Sequence, residues 1–189
     1  GLGSSLYING YRVGMLLENC PEWPIAYMGI LAAGKTVVPI DANLKDTEIG
    51  YIIGHARLRT VLCSERFADR LTDLEFPLQI FSLTRASSRS WASLLRSDPI
   101  GEIPRANVTA VLIYTSGTTG RPKAVILTHA NFGANLASIE TALKFGPGDV
   151  FLSVLPLHHT LEATCGFLAP VMSGASIVYG RSLKSRDIL

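Results

Sequence analysis

The run Thr109-Ala110-Val111-Leu112-Ile113-Tyr114-Thr115-Ser116-Gly117-Thr118-Thr119-Gly120-Arg121-Pro122-Lys123-Ala124-Val125-Ile126-Leu127 governs the reading of the whole chain. Two apolar, β-prone segments, 109–113 and 124–127, flank a loop of hydroxyls, glycines and one lysine. Gly117 and Gly120 let the backbone turn through positive φ and bring its N–H groups close to an anion. Thr115, Ser116, Thr118 and Thr119 add side-chain donors, and Lys123 adds a mobile positive charge that can follow a phosphate oxygen. The loop therefore reads as a phosphate grip joining two strands. It is not a P-loop, because the second glycine of that pattern would fall on Pro122, and a strand follows where a helix should open. Ser, Thr and Gly also fill ordinary hairpin turns for conformational reasons. The terminal lysine and the length of the run favour phosphate.

Strand and helix signals alternate on both sides of this loop, as in an α/β fold of mostly parallel sheets covered by helices. Upstream, 12–17 reads as a strand, and Pro21 and Pro24 open a helix that Gly34 closes. A buried strand follows at 37–40. Ile49, Ile52, Ile53 and Ala56 share one face of a helix over 46–57, with Asp46 as its N-cap. Strands at 60–64 and 78–83 bracket a short helix within 65–75, and 91–95 is a further helical segment. Pro99, Gly101 and Pro104 mark a linker over 97–108 between a first α/β portion (1–96) and a second (109–189). Downstream, strands are expected at 109–114, 123–128, 150–155 and 176–179. A helix between the second and third of these carries Phe132, Leu136, Ile139 and Leu143 on one face and ends before Gly146-Pro147-Gly148. Ligands of such sheets sit where loops leave the strand ends, so Thr115–Gly120 and Leu157–Thr160 are expected to face one cleft.

The 189 residues carry 17 basic and 15 acidic side chains spread along the chain, which argues against a nucleic-acid partner. Arg181, Lys184 and Arg186 form one basic cluster, read as a solvated surface. Cys20, Cys63 and Cys165 are odd in number and lack paired spacing, so they read as reduced thiols of a cytoplasmic protein, with Cys165 in a buried packing role. The uncharged run 163–180 approaches the length of a membrane span, but Pro170, Ser173 and Gly174 divide it into helix, turn and strand, so it is not read as transmembrane. His158 and His159 are adjacent and point apart, so they make a poor chelating pair, and capping of a helix that begins near Thr160 is one reading of them. Glu162 reads as a first-turn acid, His129 as part of a turn, and His55 as an exposed residue on a helix flank.

Residues 112–132, LIYTSGTTGRPKAVILTHANF, resemble the signature loop of the AMP-forming adenylating enzymes. Residues 12–41 resemble the early strand-helix-strand unit of that superfamily, and Leu155-Pro156-Leu157-His158-His159 resembles its substrate-pocket block. The HHTLEATCGFLAP continuation is most similar to bacterial long-chain fatty-acyl-CoA synthetases. The resemblance implies ATP, Mg²⁺ and CoA as co-substrate, and a reaction through acyl-adenylate. Within it, Thr115, Ser116, Gly117, Thr118, Thr119, Gly120 and Lys123 hold the nucleotide, and Thr115 lies beside the magnesium. His158 and His159 contact the carboxylic acid, while Lys123 and His159 are catalytic. Ala124 stands where most family members have glycine, and it is expected to be tolerated at the start of a strand. The resemblance leaves room for peripheral contact with the inner face of the membrane and for an oligomer. The family's later blocks would lie beyond Leu189, so the chain is expected to be an N-terminal fragment with little activity alone. A noncatalytic adenylate- or acyl-binding module and an unrelated phosphate-binding domain are the alternatives.

Overall fold

The computed structural model describes residues 12–82, 105–115 and 122–180. Its strands are β1 (Arg12–Leu16), β2 (Thr36–Pro39), β3 (Thr60–Cys63), β4 (Gln79–Ser82), β5 (Thr109–Thr115), β6 (Lys123–Thr128), β7 (Val150–Ser153) and β8 (Ser176–Tyr179). The helices are α1 (Glu22–Ala32), α2 (Asp46–Ala56), α3 (Ala68–Thr72), α4 (His129–Ala142) and α5 (Ala169–Ser173), the last continuing a π-helical segment at Glu162–Leu168. Six strands form one sheet in the order β4-β3-β1-β2-β5-β6. All its pairings are parallel except β5–β6, the hairpin that closes the Thr/Gly loop. β7 and β8 make a second, parallel pair. The strands on either side of the expected 97–108 linker thus share one sheet.

Alternation along β1 divides the core. Val13 and Met15 face α1, where Trp23, Tyr27 and Ile30 are buried together with Phe132 of α4 and Phe167 of the π segment. Leu16 faces the other way, packing with Val38 and with Ile49, Ile52 and Ile53 of α2. A strand buried on both faces is what a parallel sheet between helical layers requires. Gly14 fits between these layers because a Cβ there would lie 2.9 Å from Leu58 Cδ1 and 3.0 Å from Val61 Cγ2. Gly34 follows α1 at φ +68°, the left-handed geometry that closes a helix.

Several boundaries differ from the sequence expectations. Asp46 is the first helical residue of α2 and Lys45 is its N-cap, with the Glu48 carboxylate accepting the Lys45 N–H at 2.9 Å. α4 begins at His129, not in a turn before Phe132, because Thr128 and Asn131 cap it reciprocally. The Asn131 N–H donates to Thr128 Oγ1 at 3.3 Å, and the Thr128 N–H donates to Asn131 Oδ1 at 2.9 Å. Leu143 falls beyond the helix in extended backbone and is exposed. β1 stops at Leu16 and β7 at Ser153, each shorter than its apolar run. Ala124 pairs with Tyr114 inside β6, and among the described residues only Arg57 and Glu75 take positive φ apart from glycines. Alanine is therefore unstrained at that position. The 91–95 helix and the Arg181–Arg186 cluster lie outside the described residues, as does linker 97–108 up to residue 104.

Candidate functional site

The ends of β2 and β5 and the turn after β7 converge on a cavity of about 360 Å³. Thr115, His158, His159 and Thr160 all line it, with Asp41 beside them and Ile52 and Ile113 forming apolar wall. The convergence expected of Thr115 and the 157–160 turn is therefore present. Thr115 is the last residue of β5, and its antiparallel partner is Lys123, the first residue of β6. The hairpin thus sets both stem residues of the loop at one end of the sheet, with the Lys123 side chain exposed to solvent. Ser116, Gly117, Thr118, Thr119 and Gly120 lie outside the described residues.

The loop stem is braced from α2. Tyr51 stacks on His55, with centroids 5.4 Å apart, and His55 Nδ1 lies 2.7 Å from the Tyr114 hydroxyl. Tyr114 immediately precedes Thr115 and also lines the cavity. Burial raises its pKa, so the hydroxyl stays protonated through the neutral range. His55 is exposed, as expected.

Asp41 closes the cavity from the β2 end. Its Oδ1 accepts from the Asn43 backbone N–H at 2.8 Å and from Asn43 Nδ2 at 3.0 Å, which leaves Oδ2 directed at His158 Nε2, 3.6 Å away. That nitrogen is buried and makes no hydrogen bond among the described residues. Burial lowers the His158 pKa, Asp41 opposes the shift and His159 adds to it, so the ring is neutral at neutral pH. The two imidazoles lie 4.2 Å apart. The backbone of the turn is fixed at both ends. The His159 N–H donates to Pro156 O at 3.0 Å, and His159 O accepts from Ala163 N–H at 3.0 Å, so this residue does open the helical segment. His158 instead turns toward Asp41.

Glu162 lies in the first turn of the helical segment, as expected, yet it is buried at 7% exposure, and its Oε1 lacks a hydrogen-bond partner among the described residues. Its carboxylate lies over Gly166, where a Cβ would come within 2.5 Å of it. The segment Glu162–Leu168 winds as a π-helix, which takes its side chains off the 3.6-residue period. One sequence expectation fails here: Cys165 is exposed and not packed in the core. Cys20 and Cys63 are free thiols that burial pushes up to about 11 and about 12. Neither is a thiolate at neutral pH, so neither is a nucleophile.

Sequence reasoning assigned no role to Asp41, Asn43, His55 or Tyr114. Asp41 had one visible signal, its place at the end of the apolar strand Val37-Val38-Pro39-Ile40, where site residues of parallel sheets gather. Among the described residues no three His, Cys, Asp or Glu side chains form a group able to hold a metal. No helix of the described residues is long and apolar enough to cross a membrane.

Thr115 at the end of β5 thus shares a cavity with the histidine turn after β7. Residues 7–188 match the AMP-binding enzyme family. The chain belongs to that family. It is 32% identical to the sulfoacetate–CoA ligase of Cupriavidus necator over 94% of this chain and 35% of that protein. It is 30% identical to the peroxisomal long chain acyl-CoA synthetase 7 of Arabidopsis thaliana, over 85% of this chain and 27% of that one. The fold superimposes on ATP-bound MatB from Rhodopseudomonas palustris with a TM-score of 0.84 at 23% identity, covering 97% of this chain and 37% of MatB. The chain thus spans about a third of the length of these relatives. Its relatives are CoA ligases, and its α/β architecture is that of the N-terminal part of adenylating enzymes.

Proposed function

We propose that this chain forms the nucleotide- and acid-binding part of an AMP-forming acyl-CoA ligase whose substrate is a fatty acid. The observation that carries this reading is the shared cavity, in which Thr115 at the loop stem and His158–Thr160 face one space within a chain of the AMP-binding enzyme family. ATP is held by its phosphates on the loop 115–120, with Lys123 following the charge from the opposite strand. The carboxylate of the acid attacks the α-phosphorus, the bond to the bridging oxygen of pyrophosphate breaks, and acyl-adenylate forms as pyrophosphate leaves. His159 donates a hydrogen bond to an oxygen on which charge grows in that step, and His158, held near Asp41, sets the pocket wall. The thiol of CoA then displaces AMP to give the thioester. The loop's part is positional and electrostatic.

Thr115 fits a magnesium ion only as one oxygen donor, because that ion takes its remaining ligands from nucleotide phosphates and water. Bound there, magnesium would offset phosphate charge. The fatty-acid assignment is supported by the apolar wall of Pro39, Leu44, Ile52 and Ile113 and by the identity to a long chain acyl-CoA synthetase. The three free cysteines support a cytoplasmic setting. The 189 residues alone carry little activity in this reading.

Carboxylate-dependent ATP–pyrophosphate exchange by the intact protein tests it, with hexadecanoate, acetate and sulfoacetate as competing acids. The highest kcat/KM is expected for hexadecanoate. A preference for sulfoacetate would sink the fatty-acid assignment while keeping the ligase. Tight binding of a non-hydrolysable acyl-adenylate analogue without exchange on any acid would mean a noncatalytic module.

A further inference from the structure

The backbone between the end of β7 at Ser153 and the start of the helical segment near Thr160 carries both candidate histidines, and the strand ladder ends before it. Two of its backbone polar groups are met by one side chain from a distant part of the chain. Asn19, three residues past the end of β1, accepts the Leu157 N–H on its Oδ1 at 2.9 Å and donates from its Nδ2 to Leu155 O at 2.6 Å. An amide side chain offers an acceptor and two donors in one plane, so it can engage both groups of the turn as a neighbouring strand would. The Leu157 side chain is 1% exposed and anchored in the core, and the next residue is His158.

We propose that Asn19 is the positioning residue that sets His158 and His159 against the cavity. The geometry supplies the reason. β1 and β2 are neighbours in parallel register, Asn19 follows the end of β1, and Asp41 follows the end of β2. The turn is thus held by Asn19 through its backbone and faced by Asp41 through the His158 ring, both from the same sheet. Glu18, beside Asn19, is occupied elsewhere, receiving the Ser64 hydroxyl and pairing with Arg66. Asn19 does not touch the reacting groups. It acts through the turn, and its kinetic consequence rests on the ligase reading above.

The test uses the intact protein with Asn19→Ala and Asn19→Asp, read by amide hydrogen exchange at Leu157 and by ATP–pyrophosphate exchange. In Asn19→Ala the Leu157 amide should exchange about tenfold faster or more, as expected of a locally freed hydrogen bond. The kcat should fall by roughly 10²-fold, the scale of a ~1 Å misplacement, while the KM for ATP stays within about twofold because the loop stem is untouched. A loss of fold alone would also lower the apparent kcat with KM unchanged, so kcat is taken per folded protein, and unfolding is told apart by faster amide exchange throughout the sheet and not at the turn alone. Asn19→Asp keeps the acceptor for Leu157 and loses the donor to Leu155, so it should retain protection at Leu157 and give an intermediate kcat. Unchanged Leu157 exchange in Asn19→Ala overturns the proposal, as does faster exchange with wild-type kcat. Should Asn19→Ala fail to fold, Asn19→Asp decides, and wild-type kcat there overturns it. A wild-type protein without pyrophosphate exchange sinks the ligase reading instead, and the Leu157 exchange arm then tests the hold on the turn by itself.

Discussion

Replacing Phe167 with alanine should loosen the helix that carries the histidine turn, and the size of the effect can be worked from its contacts. The ring is 1% exposed and meets Trp23 edge-on at 5.9 Å and Tyr27 edge-on at 5.5 Å, while those two stack on each other at 5.0 Å. A buried Phe→Ala change costs about 3–5 kcal/mol through lost transfer energy and the cavity left behind. Two aromatic pairs at about 0.5–1.5 kcal/mol each make up roughly 1–3 kcal/mol of such a loss. Phe167→Leu fills most of the volume but loses both ring contacts, so it should cost less, about 1–3 kcal/mol. Set against a typical domain stability of about 5–15 kcal/mol, the alanine variant gives up roughly a third to a half at the middle of that range. Because Phe167 joins the π-helical segment to α1, the loss should appear first as faster exchange of amides in 160–173. Urea unfolding of the intact protein, followed by tryptophan fluorescence, measures the total. A loss below about 1 kcal/mol for Phe167→Ala, or equal losses for alanine and leucine, would refute the claim that the aromatic trio holds this helix.

Lys123→Ala should leave stability within about 0.5 kcal/mol, since the side chain is exposed, yet lower the pyrophosphate-exchange rate by roughly 10²-fold or more; unchanged turnover would remove Lys123 from the mechanism. Asp41→Asn should make the protein more acid-sensitive. Burial already holds the His158 pKa below its ordinary 6.5, so its contribution to stability is full above that value and is lost as pH falls toward the folded pKa. Removing the carboxylate that opposes the shift lowers the folded pKa further, and melting temperatures between pH 5 and 7 should fall more steeply than in the wild type; a shallower slope would contradict the placement of Oδ2. Gly166→Ala gains up to about 1 kcal/mol of helix propensity but forces the Glu162 carboxylate aside from a contact of 2.5 Å, for a net cost of about 1–3 kcal/mol. Adding Glu162→Ala should recover most of this cost, and purely additive effects in the double-mutant cycle would show that the two residues are not in contact.

What could be read in the sequence, and what could not, follows from the range over which each interaction acts. The hairpin stem, the helix over 46–56 and the alternating β/α order depend on residues a few positions apart, and periodicity and turn chemistry report them. Phe132 and Leu136 were correctly placed on the buried face of α4, although its start was not, because the Thr128–Asn131 cap uses asparagine where glutamate or glutamine is the usual signal. Cys165 stands exposed in a π-helical winding, and no local pattern in Glu162–Leu168 announces that winding. Asn19 is the limiting case. Its partners lie 136 and 138 residues away, and an asparagine in Glu18-Asn19-Cys20-Pro21 reads simply as a turn before a helix. Residues that line the cavity are thus legible where they sit on strand ends. The residues that hold them in place are legible only once the sheet order brings β1 and the turn after β7 together.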